Sequence, residues 1–231
     1  MSDFLKKDTH TSPIKIRPTP VPVKKTLEPV LVTHKLEVPL SCKVPAYYMI
    51  GMLPSHLQVP MQQADTQDLF TELWNLHPER LGQVKMFGKI IDTPRYQMNY
   101  GTEYYYTGML HPANPIPHPY LEKLLSWVQT HSGERYEQMI LNWYRDGSDN
   151  IGLHADSETG LVPNSAIYSI TLGGTRDFVI KAKNTSYRKV LPLKNNTLLI
   201  MGGSMQKHYK HAVPKRVSAQ PRINITFRLM K

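Results

Sequence analysis

A chain of 231 residues with 40% hydrophobic side chains is long enough to bury one full core and carry a tail. Its lone cysteine, Cys42, excludes an internal disulfide and a thiolate metal cluster, and no apolar run approaches the roughly 20 residues that span a bilayer. The net charge of +10 is uneven: residues 46–175 hold seven Lys/Arg against thirteen acids, whereas residues 176–231 hold thirteen against one, which marks a polyanion-binding face.

Residues 1–45 hold seven prolines and no glycine, and the alternation of Pro18, Pro20 and Pro22 forbids helix and central strand. This stretch reads as an extended, flexible tail, and the folded domain is expected over 46–231. The opening MSDFLKKDTH lacks the apolar segment of a secretory signal, so an intracellular location without membrane contact is expected. Residues 64–76 place Leu69, Leu73 and Leu76 at helical spacing. Residues 84–91, VKMFGKII, read as a hairpin around Gly88, and 103–108 as a strand with Tyr104 and Tyr106 on one face and Tyr105 on the other. A second helix is expected over 119–131, with Leu121, Leu124, Leu125 and Val128 on one side. Strands follow at 136–144, 166–172, 177–183, 187–193, 196–201 and 222–229, many separated by turn signals such as Asp146-Gly147 and Gly202-Gly203. Helices first and repeated short strands later predict an α+β protein with a sandwich or jelly-roll core.

Two patterns carry chemistry. In R-x-N-x-T-F-R the side chains of Arg222, Asn224, Thr226 and Arg228 share one strand face. Two buried cations there are costly unless an anion meets them, and a small dicarboxylate would satisfy both arginines. His154-Ala155-Asp156 sets an imidazole and a carboxylate two residues apart, pointing the same way on extended backbone. With a histidine from another strand they would make the two-histidine, one-carboxylate face that holds Fe(II). The H-x-D pattern alone is weak, because ten histidines produce such matches by chance.

Four blocks in order strengthen it: MFGK at 86–89, N-x-Y-x-D-G continuing to H-x-D-x-E at 142–158, RDF at 176–178, and HAVPK to PRINITFR at 211–228. Together they resemble the AlkB family of Fe(II)/2-oxoglutarate dioxygenases, in particular its animal DNA-repair branch, over about residues 64–231. The resemblance implies a double-stranded β-helix (jelly-roll) core at about 136–231, N-terminal helices, and a nucleotide-recognition lid at about 84–110. It implies Fe(II), 2-oxoglutarate and O2, with ascorbate as assay reductant. His154, Asp156 and His211 would ligate iron, His208 being the competing third ligand. Arg222 with Tyr144 would take the distal carboxylate of 2-oxoglutarate, Arg228 and Asn142 its iron-binding end, and Asn224 and Thr226 the pocket wall.

The same resemblance implies a nucleobase substrate. Tyr106 would stack on an extruded base opposite His154, with Tyr104 beside it, and Glu158 would accept from an exocyclic amine. Ser157 stands where the family usually has another acid, which leaves base preference open. Phe87 would be the apolar wedge that fills the gap in a duplex. Arg176, Lys181, Lys183, Arg188 and Lys189 are spaced to contact phosphates. The expected activity is oxidative demethylation of 1-methyladenine and 3-methylcytosine in double- or single-stranded DNA, by a monomer, in the nucleus of a eukaryote. An RNA demethylase, a protein hydroxylase and a non-catalytic binding module are the alternatives. Residues 3–7 faintly resemble a sliding-clamp-binding segment, but Asp3 replaces the basic residue expected before the aromatic.

Overall fold

The computed structural model describes residues 28–60, 68–86, 88–106, 108–156 and 160–231. The segment at 3–7, Phe87 and Glu158 lie outside the described residues, as does the side chain of Tyr106.

Two strands open the fold, β1 (Leu31–Leu36) and β2 (Ala46–Met52), followed by helix α1 (Leu69–Trp74). Two hairpins come next, β3 (Gln83–Met86) with β4 (Lys89–Asp92), then, after β5 (Tyr96–Gly101), β6 (Tyr104–Tyr106) with β7 (Met109–His111). Helix α2 (Pro119–Ser132) leads into β8 (Gln138–Tyr144), β9 (Ile151–His154), β10 (Ile167–Gly173), β11 (Arg176–Ala182), β12 (Arg188–Leu193) and β13 (Thr197–Gly203). The short α3 (Met205–His208), β14 (Tyr209–Val213) and β15 (Arg222–Arg228) complete the chain. A seven-stranded sheet runs β1-β2-β13-β10-β15-β8-β5, and a four-stranded sheet runs β12-β11-β14-β9. The two sheets form the expected jelly-roll core.

Side-chain alternation decides what each face of the large sheet meets. Ile223, Ile225 and Phe227 of β15 and Leu141 and Trp143 of β8 pack with Leu73 of α1 and Leu121, Leu124 and Val128 of α2. The Trp143 indole N–H donates to the Leu73 carbonyl at 3.0 Å, which satisfies its one polar atom in that core. On the other face Ile167, Leu199 and Met201 meet Phe178, Ile180 and Leu191 of the small sheet. Helix α2 begins with Pro119 at its first turn, and the His118 side chain caps the Tyr120 N–H. It stops at Gly133, whose φ of 72° gives the left-handed turn that only glycine adopts cheaply. α1 is capped by Asp68, which accepts from the Thr71 N–H at 2.8 Å, and it ends at Trp74, short of the expected Leu76.

The tail expected to reach residue 45 is corrected by β1, which pairs antiparallel with β2 from Leu31 through Leu36. Only one neighbour is needed at a sheet edge, so the prolines that flank LVTHKL do not forbid a strand there. Strands β2, β5, β7, β9 and β14 also escape the sequence pattern. Among the described residues no helix is long and apolar enough to cross a membrane.

Candidate active site

Strand pairing brings the histidines together. In the β9–β14 ladder His211 lies directly opposite His154, their ring centroids 4.3 Å apart. The register shifts between this pair and Val213–Ile151, so the ladder is irregular beside the two histidines. Asp156 follows two residues later. Its Oδ1 stands 3.6 Å from His154 Nε2, its Oδ2 3.9 Å from His211 Nε2, and one ligand atom from each residue lies within 4.8 Å of the others. His208, at the end of α3, is outside this cluster.

The hydrogen bonds around the cluster fix its donor atoms. His154 Nδ1 lies 2.9 Å from the Gly152 carbonyl oxygen. A carbonyl only accepts, so Nδ1 carries the proton and the Nε2 lone pair faces Asp156. The His211 ring stacks on Phe178 at 5.2 Å. Burial, then the neighbouring His154, pushes His211 down to about 3, so it is a neutral donor at physiological pH. Burial raises the Asp156 carboxyl, but the neighbouring cation Arg228 above all outweighs it and holds the group below the usual carboxylate range. Arg228 does so directly, donating from Nη2 to Asp156 Oδ1 at 2.7 Å. Two imidazoles and one carboxylate are the donor set that suits Fe(II).

The polar face of β15 lines the same cavity. Arg222, only 1% exposed, donates from Nη2 to Thr171 Oγ1 at 2.9 Å, while its Nε and Nη1 have no partner among the described residues. Its guanidinium lies 5.0 Å over the Tyr144 ring. Burial lowers Arg222 to about 10, which leaves it charged at neutral pH. A buried cation with unused N–H donors beside Nη2 fits an anionic ligand such as a carboxylate. Asn224 donates to Ser169 Oγ at 2.8 Å and accepts from Thr226 Oγ1 at 3.2 Å, so these two brace the wall between β15 and β10.

Ten of the expected residues thus line one cavity: His154, Asp156, His211, Asn142, Tyr144, Arg222, Asn224, Thr226, Arg228 and Tyr104. Arg176 is a correction. Expected against substrate, it is 1% exposed and donates to the carbonyls of Asp146, Asp149 and Pro214 at 2.9, 2.8 and 2.7 Å. It ties the loop after β8 to the turn after β14 and cannot reach a surface ligand. Lys181, Lys183, Arg188 and Lys189 are exposed, at the β11–β12 hairpin. Lys181 is in register with Arg188 on one side and Lys210 on the other, a basic row across three strands. Sequence reasoning missed Arg95 and Gln97 of the cavity wall. Arg95 Nε donates to Asn142 Oδ1 at 2.8 Å, its Nη2 to Gln97 Oε1 at 3.0 Å, and Gln97 Nε2 to the Tyr104 hydroxyl at 3.1 Å.

Comparison with known proteins gives a consistent picture. The profile of the 2OG-Fe(II) oxygenase superfamily matches residues 51–228. The chain is 35% identical over 183 residues to DNA oxidative demethylase ALKBH2 of Homo sapiens, covering 72% of this chain and 69% of that one. It is 35% identical over 146 residues to alpha-ketoglutarate-dependent dioxygenase alkB homolog 3 of Homo sapiens, covering 58% and 51%. The chain therefore spans about two thirds of the first relative and about half of the second. The solved structure of OsALKBH1 superposes with a TM-score of 0.54 over 79% of this chain and 96% of that one, at 16% identity, which establishes a shared fold.

Proposed function

The chain belongs to the AlkB family of the 2OG-Fe(II) oxygenase superfamily, and on that premise we propose that it is an oxidative demethylase of N-alkylated DNA bases, 1-methyladenine and 3-methylcytosine above all. The observation that carries this reading is the shared cavity, in which the His154–Asp156–His211 cluster faces the unpartnered donors of Arg222. The named activity of ALKBH2 of Homo sapiens supports the substrate class.

Bound iron, 2-oxoglutarate and O2 together supply the oxidation of an N-methyl group, which leaves as formaldehyde, while 2-oxoglutarate becomes succinate and CO2. The chain's own residues prepare for that chemistry. His154, Asp156 and His211 hold the metal. Arg228 keeps Asp156 ionised and fixes one of its oxygens. Arg222 and Tyr144, which lie against each other, would hold the distal carboxylate of 2-oxoglutarate, and Asn142, oriented by Arg95, would serve its other end. Thr226 and Asn224 stiffen the wall between them. Tyr104 is held from two sides, by Gln97 at its hydroxyl and by Arg228, 5.8 Å from its ring, and so presents a fixed surface at the substrate end. Tyr106 and Glu158 complete base recognition, Phe87 fills the vacated stack, and Lys181, Lys183, Arg188 and Lys189 hold phosphates. In a eukaryotic source it would act in the nucleus, as a monomer, and residues 3–7 are its candidate clamp contact.

The test is formaldehyde release with loss of the methyl group from a duplex oligonucleotide holding one 1-methyladenine, with Fe(II), 2-oxoglutarate and ascorbate present. Native protein should turn over and His211→Ala should not. Turnover confined to a methylated RNA strand would make the protein an RNA demethylase. Absence of turnover on either nucleic acid, with 2-oxoglutarate still bound, would return the protein-hydroxylase reading.

A further inference from the structure

Beside the metal cluster lies a second concavity of about 670 Å³, within the size range of ligand sites. Among the described residues Asp156 alone borders both it and the cavity of Arg222. Its rim is basic. Lys43 comes from the β1–β2 connection, Lys183 from the end of β11 and Lys207 from α3, all three exposed. The only described acid in its lining is Asp156, whose charge is already met by Arg228. The rim is also bonded to the metal site: Lys183 Nζ donates to the Gln206 carbonyl at 3.0 Å, and Gln206 Oε1 accepts from the Asp156 N–H at 2.9 Å.

The groove continues the basic row on the small sheet. Arg188, Lys181 and Lys210 stand side by side in strand register. Lys183 is lowered first by burial and then by Lys210, while His208 is lowered first by burial and then by Lys207 and Lys183. These cations are therefore within electrostatic reach of one another, and Lys183 and Lys210 connect the row on the sheet with the groove. A compact free anion would call for converging, buried donors. A track of exposed lysines suits instead a ligand whose charges repeat along its length.

We propose that the groove edged by Lys43, Lys183 and Lys207 carries the phosphodiester backbone of the nucleic-acid strand beside the reacting nucleotide, leading it from the Arg188–Lys181–Lys210 row to Asp156. The assignment rests on the nucleic-acid reading above and adds the path of the strand. It extends the contact surface to two segments, the β1–β2 connection and α3, that the basic row does not include.

The test uses the full chain with Fe(II) and 2-oxoglutarate, without oxygen to prevent turnover. Binding of a labelled single-stranded oligodeoxynucleotide holding one 1-methyladenine is followed by anisotropy across a salt series. The double variant Lys43→Ala/Lys207→Ala should bind about tenfold more weakly at low salt, with a log–log salt slope shallower by about 1.4, or about 0.7 for each lost phosphate contact. Lys123→Ala/Lys194→Ala, which removes the same charge elsewhere on the surface, should stay close to native. Equal weakening of both double variants, or an unchanged slope in the first, would overturn the groove while leaving nucleic-acid binding intact. Failure of the native protein to bind any oligonucleotide would remove the nucleic-acid reading, and the groove with it. An unchanged thermal midpoint keeps a folding defect from imitating the expected loss.

Discussion

Arg222 is a costly residue for the fold to carry, because a buried guanidinium with two N–H groups unpartnered is a desolvated charge only partly compensated. Its benefit must come from a ligand. Arg222→Lys should weaken 2-oxoglutarate about ten- to a hundredfold by calorimetry, since a point charge cannot replace a planar pair of donors. Arg222→Met should abolish that binding yet leave the urea midpoint of the metal-free protein unchanged or higher. A clear loss of stability would mean that the arginine serves the fold. His211 predicts a pH dependence. Its folded value of about 3 lies below the ordinary 6.5, so between these limits the unfolded chain binds the extra proton and stability falls as pH falls. The slope should reach about 1.4 kcal/mol per pH unit in the metal-free protein and flatten in His211→Ala. Arg222 and Arg228 were legible because polar side chains at strand spacing need a reason to be buried, and His154 and Asp156 from their two-residue spacing; His211, on a strand that escaped the pattern, came only with the family resemblance. Arg95 and Gln97 were not legible, because their role arises only when β5 pairs with β8. Arg176 was misjudged for the converse reason: it heads a basic sequence, and only the folded loops around it bury it.

At the scale of elements, the two helices and the strands with apolar alternation could be read from the chain. Several that escaped have a physical reason. β9 and β14 carry metal donors and are short, so hydropathy does not mark them. β1 is an edge strand with most of its side chains exposed. β5, YQMNYG, keeps the alternation of a strand, with Tyr96, Met98 and Tyr100 toward the core and Gln97 on the cavity, but it is short and was passed over. Turn glycines give a graded prediction. At Gly133 a methyl group would meet nothing within 4 Å, so Gly133→Ala should cost only the left-handed backbone, about 1 kcal/mol. At Gly101, with φ of 82°, the added carbon would lie 1.8 Å from the Glu137 carbonyl oxygen. Gly101→Ala must therefore displace the foot of the β6–β7 hairpin and should cost several times as much by urea unfolding. Equal costs at the two sites would refute this account of the turn.

Across the whole molecule, the metal donors join strands far apart in sequence, so ligands should stabilise the entire domain. Fe(II) with 2-oxoglutarate at about a hundredfold over the dissociation constant should add about 2.7 kcal/mol, or roughly 5–10 °C in the anaerobic thermal midpoint. Asp156→Ala should show almost none of that shift. The pairing of His154 with His211 has one more consequence. Slipping one strand past the other by a single residue would turn one imidazole to the opposite side of the sheet. A misassembled copy could then offer at most two of the three donors and would hold iron poorly. Correct pairing thus works as a safety interlock: a copy that has not finished folding is a poor source of stray oxidant beside the genome it is proposed to repair.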